Sequence, residues 1–237
     1  MPETQLPQRC EVCGCAKLCT ENLSLFRELP MAVQERLTAQ AVSTHHVRGS
    51  RLFQQGDPID EIRIIRRGQV KLCRFDTDGR EYILDVLSAG NSIWEGIFRP
   101  GAEFVYDGVC LTDVELCEVR RPVFLAEIAG KPEVASYLIG LLSIRLAEAQ
   151  EKALLLTIRD PRVRMAGFLL DRDRRWPGPE INLKLEEIAA SIGLREETVS
   201  RVLRGFEKSG IIERMGKGKI RLRDRDMLRE ISEGGRA

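Results

Sequence analysis

Between residues 46 and 119 the chain alternates short apolar runs with turn residues. The runs at 62–65, 70–72, 82–86, 105–109 and 114–119 predict strands. Gly56-Asp57-Pro58, Arg67-Gly68, Asp78-Gly79 and Ala89-Gly90-Asn91 predict the turns between them. Short strands at this spacing predict a compact antiparallel roll or barrel. Ahead of it, Phe26, Leu29, Val33 and Leu37 recur at helical spacing, predicting a short amphipathic helix or two broken at Pro30.

After the roll the period changes. A long helix is predicted from about Pro132, a good first-turn residue, to about Asp160, just before Pro161. Within it Ala135, Ile139, Leu142, Leu146, Ala149 and Ala153 follow at intervals of 4, 3, 4, 3 and 4, an a/d seam about three heptads long. A second apolar stripe, with Tyr137, Leu138, Leu141 and Ile144, can pack on the roll. Two apolar faces on one helix predict a parallel homodimer, with packing inside one chain as the alternative.

The segment 182–222 carries two short helical patterns around Ile192-Gly193-Leu194. Leu185, Ile188, Ala189 and Ile192 form one apolar face, and Val199, Val202, Leu203 and Phe206 the other. Ala189 allows a close helix crossing, and Gly193 can take the positive φ of a tight turn. Ile211-Ile212 and 220–222 then bracket Gly216-Lys217-Gly218-Lys219, a basic hairpin. Together these are a winged helix-turn-helix.

Charge strengthens that reading. The chain's 37 Lys+Arg against 36 Asp+Glu give only +1. Residues 201–225, however, hold nine basic and three acidic residues, a local +6. A basic block beside a helix-turn-helix points to double-stranded DNA. The second helix would enter the major groove, with Arg195, Glu196, Glu197, Ser200, Arg201 and Arg204 as candidate contacts and Lys217 and Lys219 on the wing. The bland alternative for Glu197 and Arg201 is a surface salt bridge four residues apart. The 43% apolar composition excludes intrinsic disorder, and no apolar run is long enough to span a membrane. The N-terminus has no secretion-signal pattern, so a cytoplasmic protein is expected. His45 and His46, expected as exposed loop residues, are the only histidines, and no nucleophile or phosphate-loop motif accompanies them, so no enzyme activity is expected.

Four of the seven cysteines, Cys10, Cys13, Cys15 and Cys19, crowd the N-terminal tail, which in a reducing compartment suggests metal before disulfide. Zinc or a thiol switch is also open to such a cluster.

On these residues the chain resembles the CRP/FNR superfamily of dimeric bacterial transcription regulators. The roll motifs are Leu52-Phe53-Gln54-Gln55-Gly56-Asp57, Gly68-Gln69-Val70-Lys71 and Asp76-Thr77-Asp78-Gly79-Arg80-Glu81. The reading helix carries Glu197-Thr198-Val199-Ser200-Arg201, similar to the FNR-branch pattern E-x-x-S-R. The resemblance implies an α+β fold: a cysteine-rich cluster-binding tail (1–22), a β-roll sensor of the cyclic-nucleotide-binding type (23–131), a dimerisation helix (132–160) and a winged helix-turn-helix (161–237). It implies TTGAT-like inverted repeats as target and RNA polymerase as partner. Glu196 stands where FNR proteins typically have a small apolar residue, which leaves the outer bases of the half-site open.

The resemblance also bears on the sensor. Cys10, Cys13 and Cys19, spaced C-x2-C-x5-C, are similar to the N-terminal cluster ligands of FNR proteins, and Cys117-Glu118-Val119 is similar to the sequence of the fourth. It implies a 4Fe–4S cluster whose loss to oxygen or a related oxidant separates the monomers. Cys15 or Cys110 could replace one of these ligands, while Cys73 is expected to be a buried structural thiol. Phe104-Val105 stands where cyclic-nucleotide sensors carry the phosphate-binding arginine pair, so no cyclic nucleotide is expected. A small effector or haem bound under Trp94 and Phe98 is the alternative signal. FNR-type sensors commonly carry an acidic seam residue at the position of Ala149, and its absence implies a dimer less dependent on the cluster.

Overall fold

A computed structural model describes residues 25, 29–175, 180–216 and 218–234. They form an α+β structure with an antiparallel β-roll, a long helix and a helix-turn-helix. Helix α1 (Met31–Ala39) precedes strands β1 (Val42–His46), β2 (Arg51–Phe53), β3 (Glu61–Arg67), β4 (Gln69–Phe75), β5 (Glu81–Ser88), β6 (Ser92–Ile93), β7 (Asp107–Cys110) and β8 (Val114–Arg120). These make two four-stranded sheets, ordered β1-β8-β3-β6 and β2-β7-β4-β5. Helices α2 (Arg121–Ile128) and α3 (Pro132–Thr157) follow.

Side-chain alternation gives the first sheet two different faces. Ile65, Val114 and Leu116 join Val70, Leu72, Leu87, Phe53 and Phe104 in a core between the sheets. Ile62, Ile64, Cys117 and Val119 instead join Leu25, Leu29, Val33, Leu37, Phe124, Val134 and Leu138 in a second core beneath the helices. Strand β8 thus has a core on each face, and its pairing with β1 and β3 fixes it on both edges.

Pro30, where the sequence predicts a break, is the N-cap of α1. Four details differ from the sequence pattern. His45 and His46 lie on β1 rather than in a loop, through antiparallel pairing with β8. The strand expected at 105–109 begins at Asp107, and α3 stops at Thr157, short of Asp160. Helix α2 was not foreseen; it starts with a proline in its first turn and buries Phe124.

The described residues form two compact units. The first holds most of the roll and α3 up to Arg145; the second holds the hairpin tip 75–84, α3 from Leu146 and all that follows. The second unit contains α4 (Pro161–Arg175), β9 (Ile181–Asn182), α5 (Leu185–Ile192), α6 (Glu196–Lys208), β10 (Ile212–Arg214), β11 (Lys219–Leu222) and α7 (Arg225–Ser232). Strands β10, β11 and β9 form one antiparallel sheet in that order. Among the described residues no helix is long and apolar enough to cross a membrane.

Candidate nucleic-acid interface and sensor

Helix α5 ends on Gly193, whose φ of 62° is open to glycine at little cost. The chain closes this turn with a hydrogen bond from the Leu194 N–H to the Ala189 carbonyl, 3.1 Å. Helix α6 then buries Val199, Val202, Leu203 and Phe206, as its apolar periodicity predicts. That burial turns Glu196, Glu197, Arg201 and Arg204 to solvent, with Ser200 half-buried among them. Arg204 Nη2 donates to Ser200 Oγ at 3.2 Å.

The salt bridge considered for Glu197 and Arg201 is not formed, and neither side chain has an ion-pair partner among the described residues. Their chemistry is uncommitted. On a helix, residues four apart share a row. The exposed face therefore carries two rows: Glu197 with Arg201, and Glu196 with Ser200 and Arg204.

The wing contributes less free charge than the +6 suggests. Lys219 and Arg221 are ion-paired with Glu180 at 3.4 and 3.1 Å, and they hold its carboxyl below the usual range against the effect of desolvation. Arg223 pairs with Glu213, and Arg225 donates twice to Asp173 at 2.8 Å. Arg201, Arg204, Lys208 and Arg214 have no ion pair among the described residues. Lys217 lies outside the described residues.

Comparison with known proteins identifies the two domains. Residues 163–231 match the Crp-like helix-turn-helix domain and residues 43–130 the cyclic nucleotide-binding domain. The cyclic AMP receptor protein of Thermus thermophilus is 34% identical over 187 residues, covering 79% of this chain and 86% of that protein. The chain belongs to the CRP/FNR family of transcription regulators. The fumarate nitrate reduction regulatory protein of Klebsiella oxytoca is 25% identical over 234 residues, 94% of this chain and 90% of that one. In structure, FixK2 of Bradyrhizobium japonicum superposes with a TM-score of 0.73 at 24% identity, over 80% of this chain and 96% of that one. This CRP/FNR regulator is accordingly a DNA-binding protein, with α6 in the position of the reading helix.

In the roll of this CRP/FNR protein, Cys117 is a buried thiol in the helix-side core that also receives Leu25. Cys110 lies in the core between the sheets, where burial pushes its thiol up. Cys73, expected to be structural, is fully buried on β4. Cys10, Cys13, Cys15 and Cys19 lie outside the described residues. Phe104 stacks on Phe53 with ring centroids 3.7 Å apart, and the Arg63 guanidinium lies 5.6 Å from the Phe104 ring centre. Arg63 is held by Glu61 at 2.6 Å and Glu118 at 3.2 Å, while burial raises the Glu61 carboxyl. Sequence reading missed this group; a lone arginine between Ile62 and Ile64, both buried, was its signal.

Helix α3 keeps much of the predicted seam exposed. Ile139 and Leu146 are 63% and 61% exposed, and Ala149 and Ala153 are also exposed. Leu142 of the seam also packs against the helix-side core with Tyr137 and Leu141, whereas Ile144, expected on the roll, faces solvent. An a/d pattern does not fix rotation about the helix axis, and docking on the roll sets it. Trp94, considered as a pocket wall, is instead packed in that same core, with Phe98 edge-on to it.

Proposed function

We propose that this regulator senses oxygen or a related oxidant through a 4Fe–4S cluster held by Cys10, Cys13, Cys19 and Cys117, and binds TTGAT-like inverted repeats as a homodimer. The observation that carries the sensor reading is the company of Cys117. Its helix-side core also contains Leu25, six residues after Cys19. Six residues reach at most about 20 Å, so Cys19 is tethered within about that distance of the core that holds Cys117. Cys110 fits less well, because it lies in the other core, between the sheets, which Leu25 does not enter. When bound, such a cluster supplies an oxidant-sensitive link among four thiolates.

The chain's own residues carry the rest of the reading. Ile139, Leu146, Ala149 and Ala153 form the seam of a second copy's α3, with Leu142 shared with the roll. Glu197 accepts from a cytosine amino group while Arg201 donates to the guanine of the same pair, and Ser200 and Arg204 act from the neighbouring row. Lys217 and Lys219 serve the phosphates, Lys219 by exchanging Glu180 for DNA. RNA polymerase is the partner expected of a regulator of this family. A cyclic nucleotide would find Phe104 and Val105 in place of an arginine pair, with Arg63 already claimed by two carboxylates.

One observation favours a second reading, a small effector in the roll. Arg145 of α3 donates to the Ser92 carbonyl at 3.3 Å and lies 3.8 Å from Glu95, while the Ser92 hydroxyl is buried without a hydrogen-bond partner among the described residues. One preparation separates the two. Protein purified without air should be brown, contain iron and acid-labile sulfide, and bleach in air. Cys117→Ala should lose the iron, whereas Cys73→Ala and Cys110→Ala should keep it. A colourless protein holding zinc or no metal refutes the cluster.

A further inference from the structure

We infer that Glu196 is a specificity-determining residue, selecting cytosine at the base pair next to the one addressed by Glu197 and Arg201. The inference rests on the DNA-reading role proposed for α6 and adds to it a base preference. Glu196 is exposed and follows directly on the N-cap residue Arg195. It has no ion pair or side-chain hydrogen bond among the described residues. The domain's other acidic groups are largely committed: Glu180, Glu213 and Asp173 hold arginines, and Glu187 accepts from the Lys184 N–H at 2.7 Å. Glu196 therefore stands on the reading face with no partner to hold it there.

Its row decides what it can read. Glu196 is aligned with Ser200 and Arg204, and the Arg204–Ser200 bond ties up the middle of that row. Glu197 and Arg201 occupy the adjacent row. The N-terminal residues of a reading helix are those that meet base edges. A carboxylate there is repelled by phosphates and accepts hydrogen bonds only. Guanine O6 and N7 and thymine O4 are acceptors and repel it. Adenine's N6 donor is flanked by acceptors on both sides, its own N7 and the paired thymine O4, whereas cytosine N4 has an acceptor, the paired guanine O6, on one side only. Cytosine is the base that rewards this side chain.

The test is selection of DNA from a pool of inverted repeats with fully randomised half-sites, using the full-length protein prepared without air. Wild type should enrich cytosine about tenfold at one position adjacent to the Glu197–Arg201 base pair, within the range of a good base contact. Glu196→Val should lose that enrichment, keep the neighbouring preference and bind random DNA more tightly. Glu196→Gln should move the preference toward adenine, whose N6 and N7 match an amide. If wild type selects inverted repeats and Glu196→Val selects the same bases, the inference is overturned and the DNA-reading role stands. If Glu196→Val lowers only thermal stability, Glu196 merely supports the helix and the inference is again overturned. Failure of wild type to select any inverted repeat overturns both.

Discussion

Three glycines of the DNA-binding unit allow backbone strain and steric fit to be measured separately. Gly193 has φ of 62°, and the atom nearest to a methyl group added there is Arg164 Nη1 at 4.0 Å, so Gly193→Ala meets strain without a clash. A left-handed conformation costs a non-glycine residue about 1–2 kcal/mol. The alanine chain also loses less entropy on folding, which returns about 0.4–1 kcal/mol. The expected net loss is about 1 kcal/mol, or about 4–8 °C in Tm for a domain of 60–100 residues. Gly218 adds a second penalty: at φ of 82° its Cβ would stand 2.8 Å from the Leu183 carbonyl oxygen, a backbone atom that cannot rotate away. Gly218→Ala should therefore cost more than Gly193→Ala. Gly205 is the control, exposed within α6 with nothing within 4 Å, and Gly205→Ala should gain up to about 1 kcal/mol from helix propensity. Scanning calorimetry on the four proteins ranks them. If Gly193→Ala matches Gly205→Ala in raising Tm, the turn between α5 and α6 is not left-handed and the reasoning fails.

Other outcomes are equally specific. Arg201→Ala should weaken binding to the selected operator tenfold to a hundredfold, about 1–3 kcal/mol, in fluorescence anisotropy, with a much smaller loss on random DNA. On α3, Leu146→Asp should turn dimer into monomer in analytical ultracentrifugation. The cluster-free wild type should remain largely dimeric at micromolar concentration because Ala149 places no charge on the seam, and Ala149→Asp should abolish that residual dimer. Finally, Lys131 and Arg36 hold the Glu127 carboxyl below its usual range, tying α1 to α2. A lowered carboxyl binds its proton less readily folded than unfolded, so the clamp stabilises at neutral pH and is lost as pH falls through the folded value. Urea titrations should show Glu127→Gln less stable than wild type at neutral pH and equal to it in acid.

The helix-turn-helix was legible because its burial is local: Val199, Val202, Leu203 and Phe206 repeat at the helical period and are all buried. What escaped notice depended on distant partners. Val42-Ser43-Thr44-His45-His46 has no strand pattern, and only the edge of β8 makes it one. The basic block looked like available charge because Glu180 and Asp173 lie far from it in sequence; the fold brings them to Lys219, Arg221 and Arg225. The burial of Leu142 and exposure of Ile144 have a related cause, since both are apolar and their fate follows from how α3 docks. At the sensor, Cys117 could be named from its motif, but its separation from Cys110 into a different core required the alternation of β7 and β8 in three dimensions.

The two-sided β8 also changes the polymer physics of the proposed sensor. Along the chain, Cys19 and Cys117 are about 98 residues apart, and joining them in a random chain would close a ring of that size. With β8 held on both edges and Leu25 already buried in its core, the ring still to be closed runs only from Leu25 to Cys19. By the logarithmic loop law that is about 2.5 kcal/mol cheaper. The fold would thus act as a template, so that metal loading follows roll folding in time, and a variant that loosens Leu25 should load iron more slowly while every ligand remains in the chain.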